Sequence, residues 1–505
     1  MAADEPLLPT KSPTPSSQGF EPASAATDST NTGWELRLAR RWQDRKTRRQ
    51  ALWVVGSIVT FWLVLQLLGG SALARQKRAA RSAQRLEGFS PSRLESVPEA
   101  LRVPWDVPVA DLLGHPLLTA HTTPSCRLNT FQQDRYAPLL PSYRGRRPRL
   151  RQPQDLPRSS LNYFIAINLY DSASVLPSLI RALHSLLTSL GPHRFHLSIY
   201  ENGSKDDTPF QLFLLAKLLK QLGAGYTIVS DPDQRAGWTE GKRIEGLAGV
   251  RNRVMRPLYD APSGTWDRVL FLNDVHLCEA ELLEVLLQHE VQDADMSCGM
   301  DYKELRIPEF EEQGYPLLFY DVWVARDMLG LPFYEIKYPK GDWVLPSRVM
   351  PHSPSRFRFD SLLPTQVYSC FNGVTVLSSS LFHAPHSLRF RSDEGTDAHS
   401  ECYLLARDIW KALSPLSLDG ADVKKGGKGA RGARIQVVPR ASVGYRVEEY
   451  EQARKDRNTT AFELDGAERK KVNEMEMVEW DPWPPKLVTT YPFGHWHNQI
   501  SIPPF

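Results

Sequence analysis

The chain has 505 residues, is 41% hydrophobic and 24% charged, and carries a formal net charge of +3. That balance is globular, and its basic residues lie largely outside the segments that read as folded, which argues against nucleic acid as the main partner. Five cysteines without a C-x-x-C pair exclude a disulfide-dense scaffold, a zinc ribbon or a C-x-x-C redox centre.

Residues 1–50 read as a disordered tail. Positions 1–33 are rich in Pro, Ser, Thr and Ala, with too few large apolar residues to form a core. A basic run follows: Arg37, Arg40, Arg41, Arg45, Lys46, Arg48 and Arg49. Residues 51–73 then read as a single membrane anchor. The stretch ALWVVGSIVTFWLVLQLL carries no charge, and with Gly69 to Leu73 it reaches the roughly 20 residues that cross a bilayer core. A cleaved signal peptide would have a shorter apolar core nearer residue 1. The upstream basic cluster outweighs Arg75, Lys77, Arg78 and Arg81 beyond the span, so the tail is expected in the cytosol and the rest in a lumen. A short span with glycine at its end suits an early secretory membrane, here a Golgi-type, type II arrangement. A lumen permits disulfides, either Cys370–Cys402 or Cys278–Cys298, with at least one thiol left over. Asn458-Thr459-Thr460 matches a glycosylation site. Asn202-Gly203-Ser204 matches too, but is expected in a site loop and unmodified.

Residues 74–158 read as a stem. Six prolines from Pro91 to Pro124 interrupt it, and periodicity is weak apart from a short helix around Ala110 to Leu113. Organised structure is expected from residue 159. LNYFIAINLY is a buried-strand candidate. Leu176, Leu179, Ile180, Leu183, Leu187 and Leu190 fall at helical spacing and end at Gly191. Phe195 to Tyr200 reads as a second strand. Thr208 as cap and Pro209 in the first turn open a helix to Gly223, and Tyr226 to Val229 is a third strand. Alternating strands and helices make a parallel sheet that binds ligands at the carboxyl ends of its strands. The loops there are Asn168 to Ser174 and Glu201 to Asp207. Neither G-x-G-x-x-G nor a G-K-[ST] phosphate loop is present, which disfavours dinucleotide and P-loop readings.

Residues 240–260 read as a basic helix, Arg268 to Leu272 as a strand running into Asn273-Asp274, and Glu279 to Glu290 as a helix. A carboxylate straight after an apolar strand lies where a hard divalent cation would meet a diphosphate. The bland alternative is a capped turn. Residues 413–505 read as an extension packing on the domain, with a flexible basic loop at 422–434. Strands are expected near IQVVPRASVGYRV, a charged helix at Ala467 to Met477, and an aromatic, Pro-rich tail at the end.

The stretches YENGSKDDT, RIEGLAGVRN, FLNDV, CGMDY, FYDVWVARDMLG, CFNGV, LRFRS and SECYLLARDIW occur in the order found in the fungal cryptococcal α-1,3-mannosyltransferase and capsule-associated protein family, glycosyltransferase family 69. From about Asn162 to Trp410 the chain resembles that family. The resemblance implies an α/β fold over 159–412, with a GT-A-like, Rossmann-type, mostly parallel central sheet flanked by helices. It implies GDP-mannose as donor, Mn²⁺ (or Mg²⁺) as cofactor, and retaining α-1,3 transfer to a mannose-containing oligo- or polysaccharide. Carried onto this sequence, it makes Asp274 the metal ligand, with Asn273 where many such enzymes have another Asp, and His383 a late metal ligand. Asn168, Glu201, Asn202, Arg251 and Asn252 are expected at the donor. Asp301, Asp321 and Glu401 are the catalytic carboxylates, Glu401 favoured because it opens a helix. Trp238, Trp323 and Tyr320 are a sugar-stacking wall, with core packing as the rival role. The competing function is a fold relative that no longer transfers sugar and assists polysaccharide assembly or export. A stem and anchor of this kind often accompany homodimers.

Overall fold

The computed structural model describes residues 45–89, 104, 106–119, 126–141, 161–233, 242–306, 311–312, 314–334, 349–393, 398–413, 431–456, 476–490 and 500–504. The chain divides into two units, residues 1–72 and 73–505. In the first, helix α1 (Arg45–Ser82) begins and carries the apolar run expected to anchor the chain. Among the described residues no helix is long and apolar enough to cross a membrane, so the anchor at 51–73 rests on the sequence.

The second unit opens with β1 (Gln84–Glu87) and the short helices α2 (Val109–Leu113), α3 (Pro116–Thr119) and α4 (Thr130–Tyr136). The expected alternation follows as β2 (Tyr163–Leu169), α5 (Leu176–Leu190), β3 (Phe195–Glu201), α6 (Thr208–Leu222) and β4 (Gly225–Ser230). It continues through α7 (Arg243–Asp260), β5 (Arg268–Leu272), α8 (Glu279–Val291), β6 (Met296–Glu304) and β7 (Leu317–Phe319). Last come α9 (Arg356–Asp360), β8 (Thr365–Gln366), β9 (Val374–Ser378), α10 (Glu401–Leu413), β10 (Ile435–Gly444), α11 (Val447–Asp456), β11 (Val488–Thr490) and β12 (Ile500–Ile502).

The main sheet is mixed and mostly parallel, in the order β1-β4-β3-β2-β5-β9-β6-β10-β8, with β7 also on β6. β2 is buried along nearly its whole length, as a central parallel strand covered on both faces must be. Its residues alternate between two cores. Ile165 and Ile167 join Leu270 and Leu272 of β5 under α5, α6 and α8. Phe164 and Ala166 join Val269 and Phe271 under α7 and α10. Helix α5 stops at Gly191, whose φ of 98° ends the helical path, and α6 at Gly223, φ 73°. The cap of α6 is Asp207 rather than Thr208, one residue earlier than its sequence suggests.

Three expectations are corrected. Residues 74–158 are not simply a stem. β1 adds to the sheet edge beside β4, and Leu112, Leu118, Tyr136 and Leu139 enter the core. The domain does not end at 412, because β10 lies inside the sheet between β6 and β8. Pro439 interrupts its pairing with β6, where the register shifts between Val437 and Ser442. The disulfides are Cys126–Cys278 and Cys298–Cys370, leaving Cys402 buried and free. Neither expected pairing forms: the fold brings Cys126 to the cap of α8, and Cys370, just ahead of β9, to Cys298 in the adjacent β6. Where the tail is described, Trp480 Nε1 donates to the Gln292 carbonyl at 3.1 Å, and Arg326 Nε to that of Thr489 at 2.5 Å. The loop at 422–430, Trp238, Asn458 and most of Ala467 to Met477 lie outside the described residues.

The Cys126–Cys278 bond closes a chain separation of 152 residues and ties the α4 segment to the start of α8. Replacing Cys126 by Ser should cost about 2–4 kcal/mol, read as a lower melting temperature. A variant melting with the parent chain would show that the tether contributes nothing.

Candidate active site

Strands β2, β3, β4, β5, β6 and β10 run the same way, so their carboxyl ends share one edge, where antiparallel β9 begins. Asn168 and Asn273 follow the registered pair Ile167–Leu272 on adjoining strands. The side-chain oxygen of each is buried with no hydrogen-bond partner. Orphaned acceptors are costly, and two on the ends of adjoining strands leave unmet hydrogen-bonding capacity at this edge.

The turn Asn372-Gly373 fixes this spot. Both residues have positive φ, 52° and 76°, which Asn-Gly adopts readily. A Cβ at Gly373 would stand 2.9 Å from Val443 Cγ2, so the position demands glycine. The Asn273 N–H donates to the Gly373 carbonyl at 2.9 Å, and Asn372 Nδ2 donates to the Gly299 carbonyl at 2.9 Å. Asp274 follows directly. Burial pushes its carboxyl above the usual range, against its own backbone N–H and the charges of Arg251 and Lys303.

Next to it, β6 and β7 bring in the acidic pair. Tyr445, just past β10, donates its hydroxyl to Asp301 Oδ2 at 2.9 Å. The Asp321 N–H donates to Asp301 Oδ1 at 3.3 Å, and the Asn372 N–H to Asp321 Oδ2 at 3.2 Å. Burial, then the neighbouring Asp321, holds Asp301 well above the usual carboxylate range. Burial pushes Asp321 up to about 6. Both therefore favour protonation in the fold. Their stabilising contribution is present at acid pH and is lost as pH rises from the unfolded value near 4 towards the folded one. Asp321→Asn should flatten that slope: between about pH 4 and about pH 6 the parent's melting temperature should fall relative to the variant's. Parallel profiles would contradict the coupling.

Arg251, on α7, is enclosed. Its Nε donates to Glu401 Oε1 at 2.8 Å, and its guanidinium carbon lies 4.8, 4.5 and 5.6 Å from the ring centres of Phe271, Phe371 and Phe390. Its Nη1 is buried without a hydrogen-bond partner. Glu401 opens α10 as expected and is itself buried. Cys402 Sγ approaches Glu401 Oε1 at 3.5 Å, and burial pushes its thiol up, keeping it neutral.

Other expected residues are drawn elsewhere. Glu201 is 0% exposed, and its carboxylate accepts from the Ser204 N–H and the Ser230 hydroxyl. It braces the loop from inside. Asn202 is buried too. The two polar loops are laced together: the Asp171 N–H donates to Ser204 Oγ at 2.9 Å, and the Ala173 N–H to Asp206 Oδ2 at 2.8 Å. Asn252 clamps the 390 segment, donating to the Phe390 carbonyl at 2.7 Å and accepting from its N–H at 3.1 Å. His383 does not join Asp274. β9 runs antiparallel to β5, pairing Leu272 with Val374 and Arg268 with Ser378, so its end delivers His383 beyond the opposite edge of the sheet. Trp323 is partly buried. Among the described residues no group of three or more His, Cys, Asp or Glu could hold a metal ion. Sequence reading missed Lys303, Asn372 and Tyr445. Lys303 adjoins the CGMDY stretch and Asn372 lies in CFNGV, so the family stretches already bordered two of them.

The Cryptococcal mannosyltransferase 1 family model matches residues 162–408. Alpha-1,3-mannosyltransferase CMT1 of Cryptococcus neoformans is 31% identical over 382 residues, covering 72% of this chain and 72% of the relative. Among solved structures, mannosyltransferase PcManGT from Pyrobaculum calidifontis, in complex with GDP-Man and Mn²⁺, is similar at 12% identity and a TM-score of 0.30, over 66% of this chain and 65% of that one. S. aureus TarS 1-349 is similar at 12% identity and a TM-score of 0.30, over 63% and 70%. Likeness that weak says nothing about function.

Proposed function

This chain belongs to the cryptococcal mannosyltransferase family and is a glycosyltransferase, and we propose that it transfers mannose from GDP-mannose to a mannose-containing glycan, α-1,3 and with retention. The carrying observation is the carboxyl edge itself. Asp274 follows Asn273 at the end of β5, and the side-chain oxygens of Asn168 and Asn273 at this edge are buried without partners. A nucleotide's ribose hydroxyls are donors of the kind those oxygens need.

A divalent cation, Mn²⁺ or Mg²⁺, fits the residues present. The Asp274 carboxylate is a hard oxygen ligand, and such ions are commonly held by one or two carboxylates together with substrate phosphates. When bound, the ion supplies Lewis-acid neutralisation of the diphosphate that leaves. The chain's own residues do the rest. Arg251 and Lys303 bias this edge towards anions. Asp301 and Asp321, held by Tyr445 and Asn372, can orient an acceptor hydroxyl. Glu401, committed to Arg251, acts as a positioning residue.

The GT-A-type assignment of the sheet is part of this reading, supported by family membership and by Asn273-Asp274 directly after β5. So is a type II arrangement in a Golgi or other early secretory membrane, anchored by residues 51–73. Two disulfides favour an oxidising lumen. The test is nucleotide release by the purified full chain from a panel of sugar nucleotides, with Mn²⁺ and with chelator. GDP-mannose should be used with metal and not without it. Turnover of UDP-sugars in its place would overturn the donor assignment.

A further inference from the structure

A ledge of ordered aromatic rings stands beside this edge, and the donor chemistry does not use it. Tyr320 follows β7 and is 48% exposed. Its ring meets that of Tyr445 edge-on, with centroids 4.8 Å apart and planes at 64°. Lys303 holds its Nζ 4.8 Å from the Tyr320 ring centre and 5.5 Å from that of Tyr445. Three strands thus converge on one spot: Lys303 lies in β6, Tyr320 follows β7 and Tyr445 follows β10.

The ledge is fastened to the acidic pair. The Tyr320 N–H donates to the Asp301 carbonyl at 3.0 Å, and the Tyr445 hydroxyl to the Asp301 carboxylate at 2.9 Å. Asp321 is the next residue and is only partly buried. A ring held in place yet half in water keeps an apolar surface exposed without the compensation of packing. A pyranose matches such a place: one face is a patch of C–H groups, and its rim carries hydroxyls that a carboxylate can accept from.

We propose that Tyr320, backed by Tyr445, is the stacking platform for the terminal sugar of the acceptor, with Asp321 accepting a hydrogen bond from one of its hydroxyls. This rests on the sugar-transfer reading above and adds where the acceptor sits. Lys303 pins the two rings from β6.

The test uses α-mannobiose as the acceptor probe and the full-length chain. Saturation-transfer NMR measures mannobiose binding, and kinetics with GDP-mannose separates the two substrates. Tyr320→Ala should weaken mannobiose binding and raise its KM about tenfold, the worth of one aromatic contact. The variant's affinity for GDP-mannose should be unchanged. Tyr320→Trp should keep mannobiose binding near the parent value. Unaltered mannobiose binding in Tyr320→Ala, or an equal loss of GDP-mannose affinity, would overturn the platform while leaving the transferase reading intact. A parent chain that releases no nucleotide from any sugar donor would instead sink the parent reading, and this inference with it.

Discussion

Asp274→Asn should lower GDP release from GDP-mannose by about 10²–10³-fold, the loss expected when one group stabilising transition-state charge is removed. The fold should survive. Burial disfavours the ionised form of this carboxyl in the native state, so an uncharged amide of the same shape removes a native-state cost. The variant's melting temperature should therefore match or exceed the parent's near neutral pH. Activity lost without stability lost identifies a functional group rather than a structural one. Turnover within a factor of a few of the parent, at the same metal concentration, would remove Asp274 from the chemistry.

The second large effect lies in the Arg251–Glu401 pair and has the opposite character. Both side chains are almost fully buried, and three phenylalanine rings surround the guanidinium. Arg251→Ala leaves a buried carboxylate unpaired and empties an aromatic cage. The expected loss is about 3–5 kcal/mol, read by denaturant or thermal unfolding. Glu401→Ala should cost a similar amount, because it strands the cation. The double replacement Arg251→Met with Glu401→Leu should recover much of the loss, since apolar side chains can replace a buried ion pair without penalty. Glu401→Gln keeps the size and one acceptor, and should retain turnover within about tenfold. A Glu401→Gln chain that is stable but inactive would make Glu401 a catalytic carboxylate after all.

These expectations show which features local sequence carries. The run β2 to β4 was legible because apolar spacing switches between strand and helix periods and glycines at 191 and 223 end both helices. β5 running into Asn273-Asp274 was legible for the same reason. β1 was not, because QRLE has no apolar pattern and its pairing with β4 is set by residues far along the chain. β10 read as a strand, but its seat between β6 and β8 depends on pairing across long stretches of chain, which periodicity does not encode. The same blindness explains the disulfides and His383. The turn into β9 reverses the strand, so residues after Ser378 emerge at the far edge. Glu201 was expected at the donor because the family resemblance puts it where related enzymes hold the nucleotide. Ser204 and Ser230 claim its carboxylate, and only the three-dimensional arrangement shows that. Tyr445 carries no local mark at all, since its hydroxyl matters only because β10 ends beside Asp301.

The central claim is that an oxygen-ligated cation, held at the sheet edge by Asp274, lets GDP leave mannose. The most direct measurement is Mn²⁺ titration of GDP release from GDP-mannose by the parent chain and by Asp274→Asn, with α-mannobiose present. Saturable metal activation of the parent, lost or shifted to far higher Mn²⁺ in the variant, is the predicted result. Release that persists in chelator, or the same Mn²⁺ dependence in both chains, would contradict it.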